Sequence, residues 1–296
     1  MPSYSLFLGC MIPLRLPSME ATTRKLLNHF NINVEELTDV GCCPEPSLKS
    51  LDEETWTTLA ARNLALAEKK GNDILTLCNG CFETLKTVNE SLKNDSKLAE
   101  KVNKRLGLIN RGYEGKIDVK HLVEVITKDI GIGEIKNSVK TPFNGLKVAA
   151  HYGCHLLRPG ELLNVDDPHR PDVLDKLIEA TGATSVPYYK KNLCCGAEVS
   201  GFDAETSREL VKYKLDKVRK SKADCIVVVC PFCLLQYDVA QRLVKDENNE
   251  NYNIPVLYYP ELLLMAMGTD PQELHLDMHR TKTDTLVEKI GGLIND

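Results

Sequence analysis

Cys225-Ile226-Val227-Val228-Val229-Cys230-Pro231-Phe232-Cys233-Leu234 is the stretch on which the fold turns. Ile226 to Val229 form a continuous β-branched run, the mark of a strand buried on both faces in a parallel sheet. A C-x-x-C motif closes the run, and a helical pattern from Leu234 to Asp246 follows. The same unit stands earlier in the chain. The strand-like Asp73 to Leu77 leads into Cys78-Asn79-Gly80-Cys81-Phe82, then into a helical pattern from Phe82 to Lys93.

The match extends outward from both motifs. In order the cysteines are Cys10, Cys42, Cys43, Cys78 and Cys81, then Cys154, Cys194, Cys195, Cys230 and Cys233, with Cys225 left over. Each set reads C, CC, C-x-x-C. The segment from the paired cysteines to the C-x-x-C holds 34 residues in both halves. The segments before the pairs hold 31 and 39, a difference of one loop. Gly9-Cys10 matches Gly153-Cys154. Five cysteines with one identical spacing mark an internal duplication. The extra polar sequence of the first half lies around Lys93 to Gly115. Thr141 to Gly145 punctuates the junction, which predicts domains at 1–145 and 146–296.

Strands are expected at Ser5–Leu8, Glu36–Val40 and Asp73–Leu77, with helices at Met19–Phe30, Glu53–Lys70 and Phe82–Lys93. In the second half strands are expected at Lys147–Tyr152, Thr184–Tyr189 and Cys225–Val229. Helices are expected there at Val173–Thr181, Ala204–Lys222 and Leu234–Asp246. Short β-like runs at Ile117–Val119 and Pro255–Tyr259 lead into helices at Leu122–Ile126 and Leu262–Met267. Strands alternating with helices predict an α/β fold of two pseudo-symmetric Rossmann-like βα repeats with mostly parallel sheets. Cys10, Cys78, Cys154 and Cys230 then fall at carboxyl ends of strands, and the cysteine pairs directly follow others. That edge of an open parallel sheet binds ligands, so each set should converge.

The 296 residues carry a net charge of -5, with 43% hydrophobic and 27% charged residues. This is the composition of a globular chain long enough for a full core, without the basic excess that grips nucleic acid. Eleven cysteines cannot all pair within the chain. Leu6 to Cys10 resembles a lipoprotein box, but no basic residue and no apolar segment of sufficient length precede it. No run reaches the roughly 20 apolar residues of a membrane span. These features predict a cytoplasmic protein with reduced thiols.

Buried thiols can pack as small hydrophobes, which suits Cys225 but not ten residues in a duplicated pattern. A redox C-x-x-C leaves three cysteines of each set unexplained. Structural zinc or a cubane cluster uses four and leaves one spare. Five per repeat suggests a cluster with more than four thiolate attachment points.

The pattern resembles the cysteine-rich CCG domain, and its tandem form resembles the B subunits of methanogen heterodisulfide reductases, from Gly9 through the helix after Tyr259. Cys195 is followed by the family's glycine, Gly196; Cys43 is followed by Pro44 instead. The resemblance implies two noncubane 4Fe-4S clusters. One would be held by Cys10, Cys42, Cys43, Cys78 and Cys81, the other by Cys154, Cys194, Cys195, Cys230 and Cys233. It implies catalytic reduction of the coenzyme M–coenzyme B disulfide in methanogenesis; two clusters flanking one disulfide would suit homolytic cleavage between them, one electron from each. Tandem CCG domains also occur in iron-sulfur subunits of glycolate, lactate and quinone-linked systems, so an electron-relay subunit is the second reading.

No G-x-G-x-x-G follows a strand, so no flavin or nicotinamide is expected on this chain. By resemblance electrons arrive from an iron-sulfur subunit (the C component of the reductase) fed by a flavin subunit (its A component), a hydrogenase or another electron-input module. The apolar and proline-rich Met11, Ile12, Pro13, Pro44 and Pro46 are the candidate docking patch. The disulfide substrate is anionic, so Arg158, Lys190 and Lys191 are its candidate ligands. His155, beside a cysteine, is the catalytic proton-donor candidate. His151 reads as a satisfied core histidine, and Lys212 to Lys222 as the polar face of a helix.

Overall fold

The computed structural model describes residues 2–295. Eight strands form two four-stranded sheets of the same topology. In the first, β1 (Ser3–Phe7), β2 (Asn33–Glu36), β3 (Asp73–Thr76) and β4 (Val119–His121) stand in the order β2-β1-β3-β4. In the second, β5 (Lys147–His151), β6 (Thr184–Ser185), β7 (Cys225–Val228) and β8 (Val256–Tyr258) stand in the order β6-β5-β7-β8. Every pairing is parallel, the α/β fold that the alternating pattern predicts. All four residues of β7 are buried, as the β-branched run requires when helices cover both faces. Strand order reverses between β1 and β3, and again between β5 and β7. The carboxyl ends there open the crevice where such sheets bind ligands.

Helix limits follow local chemistry. Glu53–Lys70 has the bounds that its sequence predicts, because Asp52 accepts from the Thr55 amide at one end and Gly71 turns left-handed at the other. The helix expected over 234–246 instead runs Pro231–Asp238 and gives way to a 3-10 turn. There the Asp238 carbonyl accepts the Thr281 hydroxyl at 2.9 Å, and its carboxylate accepts the Arg280 and Thr281 amides.

The cysteine pairs do not directly follow strands. Pairing of β2 ends with the Leu37 amide on Leu6, and Asp39 at φ 60° turns the chain away. Pairing of β6 ends with the Val186 amide on Val148; the next carbonyl of β5, that of Ala150, accepts the Tyr188 hydroxyl instead of an amide. Cys42-Cys43 and Cys194-Cys195 therefore hang on loops that return to the sheet edge. Among the described residues no helix is long and apolar enough to cross a membrane.

Cys225 opens β7 and is fully buried opposite Val148. At about 3.3 Å per residue, roughly 16 Å of extended chain separates it from Cys230. Cys225→Val protein should therefore keep its full iron and lose no more than about 1.5 kcal/mol of stability. Metal analysis beside a thermal melt checks this; a folded variant short of iron would place Cys225 among the ligands.

Candidate metal centre

Each half builds its cysteine cradle in the same way. After β1 and β5, Gly9 (φ 67°) and Gly153 (φ 75°) turn the chain so that Cys10 and Cys154 enter the crevice. Cys78 and Cys230 are the N-caps of the helices Asn79–Asn94 and Pro231–Asp238. Their sulfurs thus lie at helix N-termini, where the partial positive charge favours a thiolate. Cys81 and Cys233 follow in the first turn. One turn further on, Thr84 donates to the Pro44 carbonyl at 2.8 Å, and Gln236 donates to the Cys195 carbonyl at 3.1 Å. These bonds tie the paired-cysteine loops down. Asn63 adds bonds to Gly41 and to the Cys42 carbonyl, and Ser207 donates to the Gly196 carbonyl at 2.8 Å.

The ten thiols meet in one unbroken line. Its order is Cys10, Cys42, Cys43, Cys81, Cys78, then Cys230, Cys233, Cys195, Cys194, Cys154, each near enough to the next to act on its ionisation. Read from either end, the order of motif positions is the same. The two sets join where Cys78 meets Cys230. Cys10 and Cys42 are exposed, Cys154 and Cys194 are half-buried, and the remaining six are buried. No disulfide links any of them.

Three sulfurs are held toward the thiolate form. Cys42 and Cys81 bring Cys43 down to about 5. Cys154 and Cys195 bring Cys194 down to about 2. Burial opposes ionisation of Cys230, but contacts from Cys233 and Cys78 hold it below the usual thiol range. Soft thiolates crowded into a partly dry crevice, with no carboxylate in the line, are the donor set of a thiophilic metal and not of calcium or magnesium.

A cleft opens over the second set and is walled on its far side by Glu45, Pro46, Asn79 and Gly80 of the first half. Asn79 donates to the Tyr152 carbonyl at 2.7 Å and so fastens the halves together. His155 lines the cleft with Nε2 3.1 Å from Glu198 and Nδ1 3.9 Å from Glu83. Burial pulls its pKa down, but the Glu198 carboxylate outweighs burial and leaves it raised. Burial also raises Glu83.

The three candidate cations do not line this cleft. Lys191 pairs with Asp175 at 2.6 Å, and Lys190 extends over the Tyr189 ring. The Arg158 guanidinium lies 3.5 Å from the Pro168 carbonyl oxygen. The acids Glu45, Glu83 and Glu198 went unread in the sequence, although each follows a cysteine by two or three residues, Cys43, Cys81 and Cys195.

Two readings change with the structure. Lys214 is not on a polar face: it is 1% exposed, donates to the Lys190 and Lys191 carbonyls, and burial lowers it to about 7. It shares the apolar register of Val211, Leu215 and Val218, which is the signal that could have found it. His151 is buried but not satisfied. Neither ring nitrogen has a partner, and the ring lies with the Cys195 and Cys233 sulfurs, ligand atoms all within 4.8 Å. Of the apolar patch, Ile12 and Pro44 are buried, Met11 and Pro46 half-buried, and Pro13 exposed.

The cysteine-rich domain CCG matches residues 4–86 and again 148–238. The chain is 41% identical to the B subunit of the ferredoxin/F(420)H(2)-dependent CoB-CoM heterodisulfide reductase of Methanosarcina acetivorans, over 98% of this chain and 97% of that one. It is 30% identical to the 8-methylmenaquinol:fumarate reductase membrane anchor subunit of Wolinella succinogenes, over 93% and 95% respectively. A hypothetical protein from Helicobacter pylori shares the fold with a TM-score of 0.75 at 18% identity, covering 95% of this chain and 52% of that chain.

Proposed function

We propose, from the premise that the chain belongs to the tandem cysteine-rich CCG family that includes the B subunits of heterodisulfide reductases, that it is the disulfide-reducing subunit of such an enzyme. The observation that carries the reading is the line of ten thiols beside a cleft. In this reading domains 1–145 and 146–296 each hold one noncubane 4Fe-4S cluster. The ligands are Cys10, Cys42, Cys43, Cys78 and Cys81 in the first, and Cys154, Cys194, Cys195, Cys230 and Cys233 in the second. When bound, the clusters supply the two electrons that split the substrate's S–S bond.

The chain's own residues do the rest. The coenzyme M–coenzyme B disulfide lies in the cleft, and two electrons and two protons convert it to two thiols. His155, held by Glu198 and Glu83, hands a proton to a departing sulfur. Phe232 and Pro46 narrow the space around the bond. Arg158, Lys190 and Lys191 lie outside the cleft and act on the substrate's anionic arms only along its approach. In this reading electrons come from a flavin subunit through an iron-sulfur one, as in the reductases the chain resembles. The reaction is cytoplasmic in this reading.

Glu45 and Glu198 line the cleft and Glu83 stands behind His155, which favours a second reading, because carboxylates repel an anionic substrate. It is an electron-relay subunit of a quinone-linked reductase. Anaerobically purified protein, given an artificial reductant and the mixed disulfide, separates the two. The first reading expects about eight iron per chain and catalytic formation of both thiols; a protein with full iron that cannot cleave the disulfide is the relay.

A further inference from the structure

The duplicated halves differ at two matching positions beside the cysteines. Two residues before the turning glycine, the first half has Phe7 and the second has His151. Four residues after the last cysteine, the first has Leu85 and the second has Tyr237. All four are fully buried. Phe7 and Leu85 offer only hydrocarbon. His151 and Tyr237 touch edge to face, with ring centroids 4.7 Å apart, and neither the imidazole nitrogens nor the tyrosine hydroxyl has a hydrogen-bond partner.

A buried polar group without a partner costs about 1–3 kcal/mol. Two such side chains in contact, in one half only, point to an acceptor. The Cys195 and Cys233 sulfurs lie beside the His151 ring, and charge on the same two sulfurs acts on the Tyr237 hydroxyl.

We propose that His151 and Tyr237 are hydrogen-bond donors to the sulfur of the second metal centre, and that they make it the more readily reduced of the two. The proposal rests on the reading that each cysteine set holds an iron-sulfur cluster. Reduction adds negative charge, and a donor aimed at sulfur stabilises the charged state, which raises the reduction potential. Phe7 and Leu85, which hold the matching positions in the first half, have no donor to offer. Electrons entering at the first centre therefore run downhill to the second, over which the cleft opens. His151 and Tyr237 are positioning residues: they touch the ligand sulfurs and not the substrate.

The test uses the iron-loaded chain and substitutions borrowed from its own first half. His151→Phe, Tyr237→Phe and the double variant are compared with the unaltered protein by iron content and by electron paramagnetic resonance during a redox titration. The unaltered protein should show two separate midpoints. In the double variant the higher one should fall by at least tenfold in the redox equilibrium, about 59 mV for one electron, with iron and the lower midpoint unchanged. His151→Gln, which keeps an N–H donor, should fall by less than His151→Phe. Tyr237→Phe removes only a hydroxyl and keeps the packing, so it decides the matter if the histidine variants do not fold. Unchanged midpoints at full iron overturn the proposal. Loss of iron from folded His151→Phe also overturns it, because His151 is then a ligand. An unaltered protein without iron fails the cluster reading instead.

Discussion

Cys195→Ala protein, purified without oxygen, is expected to hold about half the iron of the unaltered chain and to lose more than about 100-fold of its disulfide-reducing activity. The expected loss exceeds the 10–100-fold typical of changes one shell further out. Cys195 lies between Cys194 and Cys233 in the sulfur line, is buried, and its loop is fastened by Gln236 and Ser207. Alanine leaves that fastening intact, because both bonds go to backbone carbonyls. The deficit should thus be in metal and not in folding. Cys43→Ala should remove the other half of the iron by the same logic. Colorimetric iron analysis with circular dichroism on each variant checks both. Complete loss of iron from either folded variant would mean one shared assembly and sink the division into two sets.

Gly153→Ala should destabilise the protein by about 3 kcal/mol. A β-carbon there would lie 2.3 Å from Asn79 Nδ2 and 3.1 Å from Cys233 Sγ, on a backbone with φ of 75°. Left-handed strain costs roughly 1–3 kcal/mol, and crowding a packed site costs a similar amount. The displaced group is Asn79, whose bond to Tyr152 fastens the halves. Iron should fall in the same variant, because Cys233 must shift. Gly80→Ala is the control: nothing lies within 4 Å of its added carbon, and alanine favours its helix. Denaturant titrations of the pair should differ by the full amount; equal midpoints would show that the Asn79 contact yields without cost.

Periodic and punctuated segments are where the sequence was most legible. Asp52 and Gly71 bracket the helix between them, and the run at Ile226 could be nothing but an inner strand. The cysteine spacing alone gave the two sets, because a repeated interval survives any loop conformation. Segments whose course depends on distant partners were less legible. Thr184 to Tyr189 has strand propensity, yet only two residues form the strand, and the Ala150 carbonyl beyond them takes the Tyr188 hydroxyl. The helix after Cys233 stops where a carbonyl turns to Thr281, more than 40 residues away. The junction of Cys78 with Cys230, the idle nitrogens of His151 and the acids around His155 are products of how one half faces the other. A charge pattern along the chain therefore drew attention to Lys190 and Lys191, while the structure pairs Lys191 with Asp175.

The line of sulfurs has the symmetry of an isologous contact. A protein of half this length, associating about a twofold axis, would build the same line from five cysteines and their copies. Cys78 and Cys230 would then be one residue meeting itself across the axis. In such a homodimer every substitution near the axis is made twice, so neither site can depart from the other. Joining two copies into one polypeptide lifts that constraint. Asn79, which reaches across to Tyr152, stands where the second half has Pro231, a residue with no donor to reach back. A fused chain can therefore give its two halves separate duties, one facing the supply of electrons and one facing their destination, which an assembly of identical protomers has no means to encode.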